Sequence, residues 1–396
     1  MEFELNAFDK AVQSRARTFA ENEVLPRAAD IDRKGKFPAE IVKRMAELKF
    51  FGLPFPERYG GCDVNGNGRL LSFVVMVEEL SLASASIGCL CAAGLISAFP
   101  LLYAGSDAQK EKYLKPLCKG AKLGAFALTE PTAGSDLLAI ETTAARDDGS
   151  DDGENDCESK SKSQYILNGR KAYITNTAIA DIYVVLAYTD RSKKRKGLST
   201  FIIEKGRKGL SFANLRDLLG MRGCSVGDLI FTDCRVPAEN LLGIEGDGLR
   251  IALATLDRDR IAMGSIGVGI AQACLDISRK YALERKQFSQ PIANFQAVQF
   301  MLADMAVEVE AARLLTYKAA YLADKGERFT KEASIAKLYS SEVALRAATN
   351  AVQIHGGYGC TKECPAERYF RDAKVLSIAV GTSEIQRMVI AREELR

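Results

Sequence analysis

The chain has 396 residues, 47% of them hydrophobic and 27% charged, proportions that exclude collagen-like, disordered and disulfide-scaffold proteins. A net charge of +3 is too small on a chain of this length to indicate a nucleic-acid partner. His355 is the only histidine, which argues against a His-rich metal site or a Ser-His triad. Any proton transfer must therefore come from carboxylates, thiols or a bound cofactor.

Residues 1–125 are predicted to form an N-terminal α-helical domain, because apolar residues recur there at three- and four-residue spacing. The apolar segment 87–105 is nearly long enough to span a membrane, but flanking charges and Pro100 favour a buried helix that breaks near the proline. The first residues lack the pattern of an export signal, and the ten cysteines lack paired CxxC spacing. We therefore expect a cytoplasmic protein with reduced thiols, no membrane span and no metal site.

Residues 126–236 are predicted to form a middle β domain, in which Asn168-Gly169 is a hairpin signal. The polar run 147–163 is interpreted as a surface loop between strands. Residues 237–396 return to long amphipathic helices and predict a C-terminal four-helix bundle. The predicted fold class is α+β, with a helical domain, a barrel-like sheet domain and a helical bundle in that order.

The sequence contains no G-x-G-x-x-G placed between a strand and a helix and no P-loop. Six other segments occur in a defined order: FALTEPTAGSD (126–136), YITN (173–176), GLRIALATLDRDR (248–260), ERKQF (284–288), AVQIHGGYG (351–359) and RDAKVLSIAVGTSEIQR (371–387). Together they resemble the acyl-CoA dehydrogenase family over essentially the whole chain. The resemblance implies FAD as cofactor, an acyl-CoA thioester as substrate, an electron-transfer flavoprotein as electron acceptor and a homotetramer.

The resemblance also implies which residues contact FAD. Arg285 would meet the pyrophosphate across a subunit boundary, where a guanidinium fork suits two phosphate oxygens. The positions that match the family's cofactor contacts are Leu128, Thr129, Gly134, Ser135, Tyr173, Thr175, Arg285, Phe288, Gln296, Gln353, Gly356, Gly357, Thr382 and Glu384. His355 lies in the same segment as Gln353 and is interpreted as a packed residue without a catalytic role.

The chemistry that the resemblance implies needs a carboxylate to remove the proton beside the thioester carbonyl. Most members place a Glu just before Gly-Thr of the last segment, where this chain has Val380. Val380 cannot accept a proton, although its backbone N–H could bind the carbonyl oxygen. Some branched-chain members carry the carboxylate in an LDxER-like run, and Asp259 is at that position here. We therefore predict Asp259 as the relocated base.

The remaining substrate contacts implied by the resemblance are Ser135, Asp257, Arg260, Cys91, Ala379 and Gly381. A short branched or alicyclic acyl-CoA is the expected substrate. Several alternatives stay open: 1,4-dehydrogenation of a cyclohexene-carboxyl-CoA, an oxidase, a carrier-protein-linked dehydrogenase, and a flavin-fold scaffold that lost its activity with the Glu. The 1,4-reaction is disfavoured because its base would lie near residues 88–97, which contain no carboxylate.

Overall fold

The computed structural model describes residues 5–62, 68–148 and 163–396. Helices make up the first part of the chain, a sheet the middle and helices again the last part, so the predicted order of the α+β fold is confirmed. Nearly all of the polar run predicted as a surface loop, residues 147–163, lies outside the described residues.

The first part of the chain packs its helices around α4 and α5, which are apolar on all sides and almost wholly buried. The helices are α1 (Ala7–Phe19), α2 (Ala28–Lys34), α3 (Ala39–Glu47), α4 (Leu70–Ala83), α5 (Ala85–Ala104), α6 (Asp107–Gln109) and α7 (Lys115–Cys118). A helix that is hydrophobic all round is expected to be surrounded by other elements, and these two lie at the centre of the core.

The predicted break at Pro100 is wrong, because α5 continues through Pro100 to Ala104. Proline removes one backbone donor, but packing of a buried helix can outweigh that loss. By length and hydropathy, α5 and the later helix Gly248–Glu284 could each cross a membrane, yet 78% of each apolar window is buried inside the fold. Both are core helices of the described structure.

Within the described residues, eight strands form one mixed sheet in the order β6-β7-β3-β2-β4-β5-β8, with β1 parallel to β4. The strands are β1 (Gly124–Ala127), β2 (Thr143–Asp147), β3 (Gln164–Thr175), β4 (Ile182–Tyr188), β5 (Leu198–Glu204), β6 (Leu210–Ala213), β7 (Val226–Pro237) and β8 (Leu241–Leu242). Their inward side chains form a core separate from that of the helices.

The hairpin predicted at Asn168-Gly169 is wrong, because β3 runs straight through both residues. Gly169 has φ +147° at a register shift against β7, and a Cβ there would lie 2.5 Å from Thr142 Oγ1. Glycine within a strand commonly marks a bulge or a close backbone approach. The glycine here serves that purpose and does not turn the chain.

The last part of the chain is built on α8, a helix of 37 residues. A short hairpin, β9 (Lys286–Gln287) with β10 (Gln290–Pro291), connects it to the following helix. The helices are α8 (Gly248–Glu284), α9 (Gln296–Asp324), α10 (Thr330–His355), α11 (Pro365–Leu376) and α12 (Ser383–Glu394). The core of these helices is continuous with that of α4 and α5.

Glycines let α8 approach its neighbours closely. A Cβ on Gly267 would lie 2.7 Å from the Ser340 carbonyl oxygen of α10, and one on Gly269 would lie 2.5 Å from the Glu78 carbonyl oxygen of α4. The start of α8 is equally tight, because a Cβ on Gly248 would meet Leu186 of β4. The helix therefore begins against the sheet and then passes between the two helical parts of the fold.

Candidate functional site

The loop that follows β1 is held against β3 by a buried ion pair. Lys171 Nζ on β3 lies 2.7 Å from Glu130 Oε1 and donates to the Leu128 carbonyl oxygen at 3.1 Å, and both charged side chains are almost fully buried. The backbone N–H of Ala172 donates to the Thr129 carbonyl oxygen at 2.8 Å. These bonds fix the backbone of residues 128–130 beside the middle of β3.

Burial and pairing act in opposite directions on these two groups. Burial lowers the pKa of Lys171 to about 8, although Glu130 opposes that shift. Burial alone would raise the pKa of Glu130, but Lys171 and the hydrogen bonds from Thr142 and Glu141 outweigh it, so the pKa lies below its ordinary value. Sequence reasoning missed this pair, although Glu130 belongs to the FALTEPTAGSD segment and Lys171 lies two residues before YITN.

Tyr173 follows at a bulge in β3 and turns its ring to the outside. Its φ is +58°, its side chain is 61% exposed, and the Arg216 guanidinium lies 4.9 Å from the ring centroid. Thr175, two residues on, is half-buried and pairs with Val226 of β7. Because the Thr129 carbonyl bonds to Ala172, its backbone adjoins the exposed ring of Tyr173, and we call this surface the open face of the sheet.

The rest of the β1 loop leaves room beside that face. Gly134 has nothing within 4 Å of the position of a Cβ, and Ser135 is exposed. Leu128 is buried, so it can offer only its backbone to a ligand. An exposed aromatic ring, a free hydroxyl and unobstructed glycine backbone are suited to a planar, polar cofactor.

Asp259 is the twelfth residue of α8, about three turns from its start, and is 1% exposed. Its Oδ1 has no hydrogen-bond partner, and no ion pair to this carboxyl occurs among the described residues. Burial raises its pKa from the ordinary value of 3.8 to about 8, with a smaller opposing effect from Arg260. A buried carboxyl with an unsatisfied oxygen is costly and is typical of a functional site.

The predicted substrate contacts Asp257, Arg260 and Cys91 all interact with other protein groups. Arg260 Nη1 lies 2.8 Å from Asp257 Oδ1, and both side chains also bond to α10. Cys91 lies on α5 with its Sγ 3.9 Å from Met76 Sδ of α4, and burial raises the pKa of its thiol. These residues surround the start of α8 as elements of its packing.

Val380 forms a tight turn between α11 and α12. Its φ is +57°, which is uncommon for a β-branched residue and indicates a backbone conformation imposed by the surroundings. The Val380 N–H donates to no acceptor among the described residues. Gln386 Nε2 donates to the carbonyl oxygens of Val380 at 3.2 Å and Gly381 at 2.9 Å, and buried Lys337 of α10 donates to the Gly381 oxygen at 2.8 Å.

The residues that flank this turn lie at its surface. Thr382 caps α12, because its Oγ1 accepts a hydrogen bond from the Ile385 N–H at 3.3 Å. Glu384 is exposed in the first turn of that helix, and Ala379 is half-buried on the other side of Val380. The turn and the start of α8 meet the same helix, α10, through Lys337 and Arg260 respectively.

The other predicted cofactor residues lie at the far end of α8. Arg285, directly after the helix, and Gln296, at the start of α9, are exposed, and Phe288 is 86% exposed with φ +50°. The ring of Phe288 has an edge contact with Phe295 at 5.9 Å between centroids. Arg285 forms no ion pair with any residue that the structure describes.

His355 ends α10 next to this group. Its ring stacks on Tyr281 of α8 at 4.4 Å and its Nδ1 lies 2.7 Å from the Ala351 carbonyl oxygen, while burial lowers its pKa. Gln353 is exposed, and Gly356 and Gly357 have nothing within 4 Å of the position of a Cβ. The stacking joins the ends of α8 and α10 into one exposed surface.

The predicted residues thus form two groups, one at each end of α8. Asp259 and Arg285 lie about 40 Å apart along the helix at 1.5 Å of rise per residue. The first group is Asp259, the β1 loop and the end of β3 (Leu128, Thr129, Gly134, Ser135, Tyr173 and Thr175), which join α8 through the cluster of Leu128 with Ala252, and the 379–384 turn, which joins α10 through Lys337. The group at the end comprises Arg285, Phe288, Gln296, Gln353, Gly356 and Gly357. In the described part of the chain, no cluster of three His, Cys, Asp or Glu side chains has the arrangement of a metal site.

Comparison with known proteins assigns the chain to a family. The model for the acyl-CoA dehydrogenase N-terminal domain matches residues 7–121, that for the middle domain residues 125–234, and that for the C-terminal domain residues 246–395. The chain belongs to the acyl-CoA dehydrogenase family. It is therefore an oxidoreductase that acts on acyl-CoA thioesters, and its cofactor is FAD.

Three relatives illustrate the similarity of this acyl-CoA dehydrogenase to known members. The short-chain specific acyl-CoA dehydrogenase of Clostridium acetobutylicum is 43% identical over 100% of both chains. The butyryl-CoA dehydrogenase structure from Megasphaera elsdenii is 41% identical, with a TM-score of 0.94 over 100% of both chains. A chain in the structure of the electron transferring flavoprotein of Acidaminococcus fermentans is 42% identical, with a TM-score of 0.93 and the same coverage.

The residues of this chain fit FAD at the open face of the sheet. The exposed Tyr173 ring, the unobstructed Gly134 and the fixed backbone of Leu128 and Thr129 suit the planar flavin and its hydrogen-bonding edge. Lys171, paired with Glu130, holds that backbone through its hydrogen bond to the Leu128 carbonyl oxygen. A second set of open glycines, Gly356 and Gly357, suits close approach of a phosphate or nucleotide at the other end of α8.

Proposed function

We propose that this acyl-CoA dehydrogenase uses Asp259 to remove the proton beside the thioester carbonyl of a short branched or alicyclic acyl-CoA, such as an isovaleryl- or cyclohexanecarboxyl-like thioester. One observation carries the proposal: Asp259 is a buried carboxyl with an oxygen that no protein group satisfies. A structural carboxylate at this position would be expected to have a hydrogen-bond partner. Val380, at the position of the usual Glu, has no group that accepts a proton.

The carbonyl oxygen of the substrate is proposed to bind the backbone N–H of Val380. This N–H has no acceptor among the described residues. Val380 has a left-handed conformation, and Gln386 Nε2 holds the turn by donating to the carbonyl oxygens of Val380 and Gly381. A preorganised donor at the carbonyl stabilises the negative charge that develops there when the proton leaves. Asp259 and Val380 then have separate tasks, proton removal and charge stabilisation.

Bound FAD would supply the acceptor for the hydride of the neighbouring carbon, and the product would be the enoyl-CoA. Leu128, Thr129, Gly134, Ser135, Tyr173 and Thr175 are proposed to hold its flavin, with Thr382 and Glu384 near its ribityl and phosphate groups. Asp257, Arg260, Cys91, Ala379 and Gly381 remain proposed substrate contacts. Because Asp257 and Arg260 already bond to one another, we expect them to shape the pocket more than to bind CoA directly.

The two groups at the ends of α8 support an oligomer, for which we propose a homotetramer. A separation of about 40 Å along the helix exceeds the length of an extended dinucleotide, so one chain cannot bring both groups to one FAD. Arg285, Phe288, Gln296, Gln353, Gly356 and Gly357 are therefore proposed to contact the FAD of a neighbouring subunit. An electron-transfer flavoprotein is the proposed electron acceptor, and the similarity to a chain in the Acidaminococcus structure supports it.

The proposed acyl group rests on the position of the base. The resemblance connects a carboxylate on this helix with branched-chain members, and small Ala379 adjoins the Val380 turn. Helix α5, which would supply the base for 1,4-elimination, has no carboxylate between Ala85 and Ala104, which disfavours that reaction. The short-chain specificity named for the Clostridium relative agrees with a short acyl group and does not distinguish a straight chain from a branched one.

The deciding experiment follows anaerobic bleaching of the flavin after addition of acyl-CoA to wild-type, Asp259→Asn and Asp276→Asn proteins. Loss of a general base costs about 10²–10⁴-fold, so we expect Asp259→Asn to slow bleaching by about 10³-fold. Asp276 is a partly exposed carboxylate on the same helix and serves as the matched control. Full-rate bleaching in Asp259→Asn would disprove the assignment of the base.

A rescue variant tests whether the position of the carboxylate matters. Introducing Val380→Glu into Asp259→Asn returns a carboxylate to the usual place in the family, and partial recovery of bleaching is expected. A panel of isovaleryl-, isobutyryl-, cyclohexanecarboxyl-, cyclohexenecarboxyl- and butyryl-CoA then ranks the substrates by kcat/KM. A preference for butyryl-CoA would overturn the branched or alicyclic proposal, and no bleaching with any thioester would indicate an inactive scaffold.

A further inference from the structure

One face of α10 connects the helix of the proposed base to the turn of the proposed carbonyl donor. Thr330, Ser334 and Lys337 occur at helical positions i, i+4 and i+7, which lie on the same face. Ser334 and Lys337 are buried and Thr330 is half-buried. Polar side chains aligned in this way inside a helical core need partners on the neighbouring elements.

Each of these side chains has such a partner. Thr330 Oγ1 donates to Asp257 Oδ2 at 2.7 Å, and Arg260 Nη1 donates to Ser334 Oγ at 3.3 Å, so the first two hold the segment of α8 that carries Asp259. Lys337, one turn further on, faces a different element. Its Nζ donates to the Gly381 carbonyl oxygen at 2.8 Å.

Lys337 is unusual because its ammonium is buried without a carboxylate. Its side chain is 1% exposed, and it forms no ion pair within the described residues. Burial, and then the charge of Arg260, lowers its pKa to about 8. A buried lysine that only fills space in the core could be replaced by an apolar residue at little cost in stability. The Lys337 ammonium instead donates a hydrogen bond to one backbone carbonyl.

That carbonyl belongs to the strained turn. Val380 has φ +57° and Gly381 has φ +91°, and a turn of this kind persists only where the surroundings over-determine it. The only side-chain donors to these two carbonyls in the described structure are Gln386 and Lys337. Gln386 lies on α12, within a few residues of the turn, whereas Lys337 is the donor that joins the Gly381 carbonyl to α10, the helix that also bonds to α8.

We infer that Lys337 is a positioning residue that fixes the Val380 N–H relative to Asp259 by holding the Gly381 carbonyl to the α10 face. This inference rests on the proposed function, in which Val380 binds the thioester carbonyl and Asp259 removes the proton. Lys337 touches neither substrate nor FAD in this scheme. It sets the angle at which one reacting group meets the other, and a small displacement of such a group has a large effect on rate.

The expected effect lies in kcat. Removal of an oxyanion donor costs about 10²–10³-fold, and a donor that is only misaimed should lose part of that, about 10- to 100-fold. Because the carbonyl accumulates negative charge after binding, KM should change little. Lys337→Arg keeps a cationic donor of similar length and should restore most of the activity that Lys337→Met loses.

The test uses FAD-loaded full-length protein and compares Lys337→Met with Lys331→Met, an equivalent substitution at a more exposed lysine on the same helix that pairs with Glu394. The first readout is the split between kcat and KM for the best acyl-CoA. The second is the pKa of bound acetoacetyl-CoA, measured from enolate absorbance in the Asp259→Asn background. This ligand ionises without oxidation, so its pKa reports charge stabilisation at the carbonyl separately from the base.

We expect Lys337→Met to raise the pKa of bound acetoacetyl-CoA by about one unit, a tenfold loss of enolate stabilisation, while Lys331→Met leaves it unchanged. An unchanged enolate pKa in a folded Lys337→Met protein would overturn the positioning role. Failure of the wild-type protein to oxidise any acyl-CoA would instead overturn the proposed function. The two failures can be distinguished because the enolate measurement does not depend on turnover. If Lys337→Met does not fold, Lys337→Gln, whose shorter side chain withdraws the donor from the Gly381 oxygen while keeping a polar group in the core, gives the same comparison.

Discussion

The two ends of α8 carry residues of opposite character. At its start, Asp259 is buried next to the Arg260–Asp257 ion pair, and its own Oδ1 has no hydrogen-bond partner among the described residues. At its end, Arg285 and Phe288 are exposed, and among the described residues the Arg285 guanidinium has no ion pair and the Phe288 ring contacts Phe295. The same helix therefore presents a closed chemical environment at one end and an incomplete binding surface at the other.

This difference separates two kinds of functional residue. Desolvation acts on Asp259 within a single chain, because the fold alone removes water from the carboxyl and raises its pKa. Arg285 keeps its solvation and its free donors until a ligand or another subunit reaches it. Substitutions at the start of α8 should thus alter the reaction itself, whereas those at the end should alter assembly and cofactor retention.

The pH dependence of flavin reduction should distinguish the two ends most strongly. Asp259 has a pKa of about 8 and must lose its proton to act as a base, so the rate of reduction should rise about tenfold per pH unit below 8 and level off above it. Between pH 6 and pH 8 this amounts to about 50-fold, because half of the Asp259 carboxyl groups are ionised at pH 8. Stopped-flow bleaching with saturating acyl-CoA measures it.

The variants sharpen the same measurement. Arg285→Met should keep the profile in every molecule that retains FAD, since Arg285 lies far from the base. The residual bleaching of Asp259→Asn should be independent of pH in this range. A wild-type profile that is flat from pH 6 to 8 would contradict Asp259 as a base with a raised pKa.

The next effect concerns cofactor retention at the other end. Charge-assisted hydrogen bonds contribute about 1.5–3 kcal/mol, so Arg285→Met should weaken FAD binding by about 10- to 100-fold. Equilibrium dialysis of FAD, followed by flavin fluorescence, gives the dissociation constant. Lys280→Met, an equivalent change on the last turns of α8, is the control.

Mixed oligomers show whether Arg285 serves a neighbour. In a co-expressed mixture of Arg285→Met and Asp259→Asn chains, a site with both residues intact forms only if Arg285 of one subunit reaches the FAD of another. Activity in the mixture at low FAD, above the sum of the separate proteins, is therefore expected. Strict additivity would show that each chain completes its own site and would contradict the cross-subunit proposal.

Sequence periodicity was sufficient for the order of helices and strands but failed where tertiary packing overrides a local signal. Pro100 remains inside α5 because the helix is enclosed by the core, and Asn168-Gly169 remains inside β3 because neighbouring strands pair on both sides. Each residue has the local preference that predicts a break or a turn. The interactions that decide otherwise come from residues distant in the sequence.

The candidate site shows the same limit in its charges. Asp259 could be proposed from its position in the LDRDR run, and Tyr173 from YITN. Lys171 and Lys337 could not be found in this way, because lysine is usually exposed and nothing local indicates that these two are buried. Their importance comes from single long-range contacts, with the Leu128 and Gly381 carbonyl oxygens respectively.

The smallest expected effect is on stability, and its sign depends on pH. Because the pKa of Asp259 rises from 3.8 to about 8 on folding, the folded chain holds a proton that the unfolded chain releases between these values. The wild-type protein should therefore lose stability as pH rises from about 4 to 8, and the full cost of the buried, unsatisfied carboxylate should be present above pH 8. Asparagine does not ionise, so Asp259→Asn should melt a few degrees above wild type at pH 9 and close to it at pH 5.

Thermal melts of the FAD-loaded proteins at matched scan rates, with Asp276→Asn as reference, measure this difference. Equal melting temperatures of wild type and Asp259→Asn at pH 9 would mean that the carboxylate is solvated or paired in solution, and the contrast between the two ends of α8 would lose its electrostatic basis.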